Sequence, residues 1–146
     1  MLGTNTVREL LERGHQIKAF LLPDAPAKTL DNLPIEKVYG NILNPDDLNK
    51  AAQNCDAIIH AAANTNIWPN RSQIVRKVNI EGTKNVINAA LLNKVQKLIY
   101  IGTANSFGFG TKDDPGKEGQ PYQSQKYGLD YMDSKYEAQQ LIMDAA

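Results

Sequence analysis

The 146 residues carry 16 basic and 16 acidic side chains, no net charge and 42% hydrophobic content, the profile of one ordinary globular domain and not of a disordered or supercharged chain. The charges are scattered, so no basic face can displace counterions from nucleic-acid phosphates, and apolar runs such as "AIIHAAA" fall far short of a bilayer span. A single cysteine, Cys55, rules out a disulfide within these residues, fits a reducing cytoplasm, and is expected as a small buried side chain.

Taken in chain order, Val7, Leu10 and Leu11 recur at helical spacing and Gly14 supplies a left-handed stop, which predicts a helix over residues 4–13. "HQIKAFLL" follows as a buried strand ended by Pro23, and after a polar, proline-containing stretch "IEKVYGNI" reads as a second short strand. "NPDDLNKAAQN" opens a helix with an N-cap amide, a proline at the first helical position and two acids in the first turn. "DAIIHAAA" predicts a strand buried on both faces. Val75, Val78, Gly82, Val86 and Ala90 share one side of a long helix from Arg71 to Asn93. "QKLIYIGT" is the next strand, residues 107–125 a Gly-, Pro- and Gln-rich loop, and the chain ends in a helix.

Strands alternating with helices pair in parallel through right-handed crossovers, so the expected fold is an α/β doubly wound parallel sheet, one Rossmann-like domain over 1–146. Ligands of such sheets bind outside the carboxyl ends of the strands. Here those ends are Leu21 and Leu22, Asn41 and Ile42, His60 to Ala63, and Gly102 to Thr103.

"YMDSKYEAQQL" places Tyr131 and Lys135 one turn apart at the opening of the last helix, where both side chains share a face. An ammonium held near a phenol favours the phenolate, by about 4 kcal/mol at 4 Å and an effective dielectric near 20, and this suits proton transfer. Spacing alone is weak support. Tyr122 and Lys126 repeat it in "KEGQPYQSQKYG", where Gly119, Pro121 and Gly128 argue for a loop in which the two have no reason to share a face.

Five blocks in order resemble the extended branch of the short-chain dehydrogenase/reductase superfamily, that of sugar-nucleotide epimerases, dehydratases and dihydroflavonol-reductase-like enzymes. They are "MLGTNTVRELLERGH", "GNILNPDDLNKAAQNCDAIIHAAA", "VNIEGTKNVINAA", "YIGTANSFGFG" and "YMDSKYEAQ". The resemblance implies an NAD(P)-dependent reductase, epimerase or dehydratase. It would transfer hydride at a secondary alcohol or ketone of a sugar nucleotide or similar small molecule, with Tyr131 as general acid/base. By the same resemblance Lys135 assists the phenol and bonds the nicotinamide ribose. Thr103 donates to the substrate oxygen, with Ser106 its competitor. Gly3, Asn41, Ile42, Ala61, Ala62, Ala63 and Asn79 line the cofactor, Asn79 holding a kink or a water in the long helix. Trp68 is an aromatic for the substrate side or merely a loop anchor, and His60, inside an apolar strand, reads as a core histidine.

Two departures stand beside this. The family's first strand and two further glycines precede the position of Gly3, so a central strand is missing and a gap between neighbouring strands is expected; the chain reads as part of a longer polypeptide. "AFLLPDA" offers neither the acid that marks NAD nor an arginine that marks NADP, and the reductase-like resemblance leans towards NADP(H). Family members also dimerise through their long helices, which leaves room for a homodimer.

Overall fold

The structure is a computed structural model describing residues 2–24 and 27–146. Ala25 and Pro26, in the loop expected after the first strand, lie outside the described residues, as does Met1. The elements run α1 (Leu2–Glu12), β1 (Lys18–Leu21), β2 (Glu36–Tyr39), α2 (Pro45–Ala52), β3 (Ala57–His60), α3 (Gln73–Arg76), a π-helical turn (Lys77–Glu81), α4 (Gly82–Leu92), β4 (Lys97–Tyr100) and α5 (Asp130–Asp144). Short 3-10 turns occupy Lys28–Leu30, Ala104–Ser106 and Ser124–Tyr127.

Local signals account for the helix ends. Asn44 accepts from the Asp46 N–H at 3.1 Å, Pro45 follows it, and Asp46 and Asp47 sit in the first turn of α2. The stripe Val7, Leu10 and Leu11 on α1 is half-buried, and no residue of that helix is fully buried.

Parallel pairing is present, in two pieces. β1 pairs with β2, Lys18 opposite Glu36 through Leu21 opposite Tyr39, and β3 pairs with β4, Ala57 opposite Lys97 through His60 opposite Tyr100. The two pairs are not hydrogen-bonded to each other. This is the gap expected from the missing strand, since β1 and β3 are the neighbours that such a strand would join.

Leu48, Ala52, Val86 and Ala89 form the core between α2 and α4, with Phe20, Ile42, Ile58 and Leu98 packed against it. Alternation along β3 and β4 therefore turns Ile58, His60, Leu98 and Tyr100 towards the helices. The other face is open: Ala57 and Lys97 are exposed, and Ile99 is 42% exposed. The strand expected to be buried on both faces is thus covered on one, for want of a second layer among the described residues. Cys55 is half-buried and free.

Candidate active site

The register of β3 and β4 sets His60 directly beside Tyr100 at the carboxyl ends of both strands, ring centroids 5.5 Å apart. α5 crosses this end. Its Lys135 is 4% exposed, donates from Nζ to the Ile101 carbonyl at 2.8 Å and holds its ammonium 4.1 Å above the centre of the Tyr100 ring. Burial pulls its pKa down from 10.5 to about 8, so the group stays charged near neutrality while sitting in a poorly solvated place. Tyr131 lies one turn earlier on the same helix and is half-buried. Burial pushes the Tyr100 phenol well above its ordinary value, and negative charge on Tyr131 pushes it the same way, which places the two phenols in one neighbourhood.

His60 is held neutral. Its Nε2 lies 2.9 Å from the Thr83 hydroxyl, and that hydroxyl spends its one proton on the Asn79 carbonyl at 2.7 Å. The network therefore assigns the Nε2–H tautomer, with Thr83 accepting. Burial first, and the Lys135 charge second, bring the His60 pKa down from 6.5 to about 4. The reading of His60 as a core histidine agrees with this.

Asn79 is the hub behind the cluster. It is 3% exposed, lies within the π-helical turn, and its Oδ1 accepts from the Asn64 N–H at 2.8 Å. Its Nδ2 donates to the Asn64 carbonyl at 3.0 Å and to the Ser134 hydroxyl at 2.9 Å. One amide thus ties the segment after β3 to α5. The long helix widens into a π-helical turn at this position.

The other expected residues fall in three groups. Thr103 ends the stretch after β4 and caps the 3-10 turn Ala104–Ser106, its Oγ1 accepting from the Asn105 N–H at 3.3 Å, which leaves the hydroxyl proton free to donate. It lines a shallow groove of about 440 Å³ with Tyr100, Phe107, Glu118 and Gln139, between the carboxyl end of β4 and α5. Neither Tyr131 nor Lys135 lines that groove, so the concavity and the phenol–ammonium cluster are adjacent, not coincident. Ser106 is buried with an unpartnered Oγ. Ala61 and Ala62 are exposed beyond β3 and Ala63 is half-buried. Asn41 is exposed beyond β2, its Oδ1 accepting from the Leu43 N–H at 2.9 Å, whereas Ile42 packs into the core. Gly3 is exposed on α1, and a Cβ there would meet nothing within 4 Å.

Tyr122 fares as a loop residue. It stacks on Tyr136 at 4.3 Å and donates to the Asp133 carboxylate at 2.6 Å. Trp68 is 82% exposed. Sequence reasoning missed Tyr100, whose only signal was its place at the end of β4, and also missed the carboxylates and arginines that bind α5 to α3.

The sequence pattern of the 3-beta hydroxysteroid dehydrogenase/isomerase family matches residues 1–146. The chain belongs to that family. It is 33% identical over 147 residues to a Synechocystis protein carrying a provisional dihydroflavonol 4-reductase name, covering 99% of this chain and 42% of that one. It is 32% identical over 149 residues to a 3-beta-hydroxysteroid dehydrogenase of Mycolicibacterium neoaurum, covering 97% and 40%. The chain therefore spans about two fifths of the length of these curated relatives. The backbone superimposes on the Thermus thermophilus UDP-glucose 4-epimerase, solved with NAD, at a TM-score of 0.87 and 17% identity, covering 99% of this chain and 47% of that one. Membership of the 3-beta hydroxysteroid dehydrogenase/isomerase family bears out the resemblance to extended short-chain dehydrogenases, and the epimerase bears out the Rossmann-like α/β fold. No helix of the described residues is long and apolar enough to cross a membrane.

Proposed function

We propose that this chain is the nucleotide-binding part of an NAD(P)-dependent oxidoreductase acting on a small molecule with a secondary alcohol or ketone. The observation that carries the reading is the buried Lys135 ammonium, fixed by Ile101 and Tyr100 one helical turn from Tyr131, at the carboxyl ends of β3 and β4. Ligands of doubly wound sheets bind at that end.

The residues present fit a dinucleotide. Ala61 and Ala62 are small and exposed beyond β3, Asn41 is exposed beyond β2, and Ile101 is the one hydrogen-bond acceptor recorded for the Lys135 ammonium among the described residues, which leaves donors for ribose hydroxyls. Gly3 leaves the first turn of α1 uncovered, Ala63 is half-buried beyond β3, Ile42 packs on the core and Asn79 holds the segment after β3 from behind. The nicotinamide supplies or accepts the hydride when bound. In this reading Tyr131 gives a proton to, or takes one from, the substrate oxygen. Lys135 lends positive charge as that proton moves. Thr103 donates its free hydroxyl proton to the same oxygen as charge develops there. His60 stays neutral, so it adds no second charge beside Lys135.

The relative named for a 3-beta-hydroxysteroid and the neighbour named for UDP-glucose both fit this substrate class, the latter the sugar nucleotide of the sequence reading. The lean to NADP(H) over NAD(H) rests on the reductase-like resemblance, since "AFLLPDA" carries neither the acid that bonds a ribose 2′-hydroxyl nor an arginine for a 2′-phosphate. A reducing cytoplasm fits the single cysteine, Cys55, in this reading. Titration of the full-length protein with NADH and NADPH, read by cofactor fluorescence, tests the reading. Binding of either, tighter for NADPH, with turnover of a carbonyl substrate supports it; binding without turnover of any ketone offered refutes the enzyme and favours a nucleotide sensor.

A further inference from the structure

α5 has two working faces. Tyr131 and Lys135 lie on one, while Asp130, Asp133 and Glu137 lie on another, at spacings of three and four residues. Leu129 stands at the N-cap and has no side chain able to cap, so the first turn depends on partners elsewhere in the fold. Asn79 holds Ser134 on one side, and the segment before α3 holds Asp130 and Asp133 on the other.

The contacts are dense. The Asp130 N–H donates to the Asn70 carbonyl at 2.8 Å, and the Asp130 carboxylate accepts from the Ser72 N–H and from Arg71 Nη1 at 2.9 Å. Arg71 Nη1 also donates to Asp133 at 3.2 Å, where Tyr122 donates from the other side. One turn on, Arg76 Nη2 donates to both Glu137 oxygens at 2.7 and 2.8 Å. The Asp130 side chain is 7% exposed, whereas the Arg71 side chain that grips it is 61% exposed. Gly128, at φ 60°, leaves room for that arginine: a Cβ there would stand 3.1 Å from Arg71 Nη2.

We infer that Arg71 is a positioning residue for Tyr131, gripping Asp130 and Asp133 on either side of it in sequence and so fixing the rotation of the first turn of α5. This rests on the reading of Tyr131 as acid/base. Arg71 grips side chains that point away from Tyr131, so it acts on the phenol only through the helix. A rotation of about 10° about the helix axis moves a side-chain tip by roughly 1 Å, and a misplacement of that size costs up to about a hundredfold in rate. Arg76, bound to Glu137 one turn later, also stands 3.8 Å from Asp130, a longer contact than that of Arg71 at 2.9 Å.

The test compares wild type, Arg71→Gln, Arg71→Lys and Tyr131→Phe in the full-length protein. Turnover is counted per NADPH-binding site, with KM, NADPH affinity and the pH profile of kcat. The expected result for Arg71→Gln is a kcat per site about tenfold or more below wild type and a displaced pH profile, with NADPH affinity and KM within about twofold. Arg71→Lys, which keeps the charge and loses the fork, recovers part of the rate. An unchanged kcat per site and pH profile in Arg71→Gln, with only lowered thermal stability, overturns the proposal and leaves Arg71 a structural residue. If Arg71→Gln does not fold, Arg71→Lys decides by the same criterion. Tyr131→Phe separates the two levels: full turnover there removes the acid/base reading and the positioning role with it, whereas loss there beside an unaffected Arg71→Gln removes the positioning role alone.

Discussion

Replacing His60 by Gln removes a titration while keeping an N–H donor for Thr83. In the folded chain burial and the Lys135 charge hold the imidazole pKa at about 4, against 6.5 when solvated. Between those values the unfolded chain takes up a proton that the native chain refuses. Stability conferred by the neutral imidazole is therefore complete above about pH 6.5 and is lost as pH falls towards 4. The full difference corresponds to about 3 kcal/mol, of which about 2.5 kcal/mol is lost by roughly pH 4.5. Carboxylates add their own acid sensitivity, so the comparison with His60→Gln isolates the imidazole. Urea unfolding at about pH 7.5 and 4.5 should show wild type losing some 2 kcal/mol or more beyond the loss in His60→Gln. Equal losses in both proteins would mean that His60 is solvated, and that the Thr83 and Tyr100 contacts do not enclose it.

Other perturbations have equally definite signs. Lys135 has a folded pKa of about 8 and an unfolded one of 10.5, so wild type should gain stability relative to Lys135→Met as pH rises through that window, by an amount of order 1 kcal/mol after solvent screening, read from melts across the range. Asn79→Ala strands the Asn64 backbone groups, removes the donor to the Ser134 hydroxyl and should cost about 3 kcal/mol in chemical denaturation, with nucleotide affinity falling as the segment after β3 loosens. Gly128→Ala forces a side chain into φ 60° against Arg71 and should cost about 1 kcal/mol in thermal unfolding.

The local grammar was plain in the sequence: Asn44 and Pro45 mark the start of α2, and the alternation of strands and helices gives the parallel fold. Tyr131 and Lys135 share a helix as their spacing requires. The loop reading of Tyr122 also held, because Gly119 and Pro121 leave no helix to align it with Lys126. What the sequence hid is non-local. Arg71 and Asp130 are 59 residues apart, and charges at such a distance carry no pattern that distinguishes a clamp from a solvated surface. Tyr100 reads as one more strand residue until the register sets it beside His60 and under Lys135. The widened turn around Asn79 is likewise set by tertiary partners, Asn64 and Ser134, that its own helix does not announce.

The account depends on proton transfer by the Tyr131 phenol, and the most direct measurement is single-turnover reduction of a ketone by the NADPH-loaded full-length protein, wild type against Tyr131→Phe. The account predicts a rate reduced by at least about a hundredfold in Tyr131→Phe at unchanged NADPH affinity. An unchanged reduction rate in that variant would contradict it.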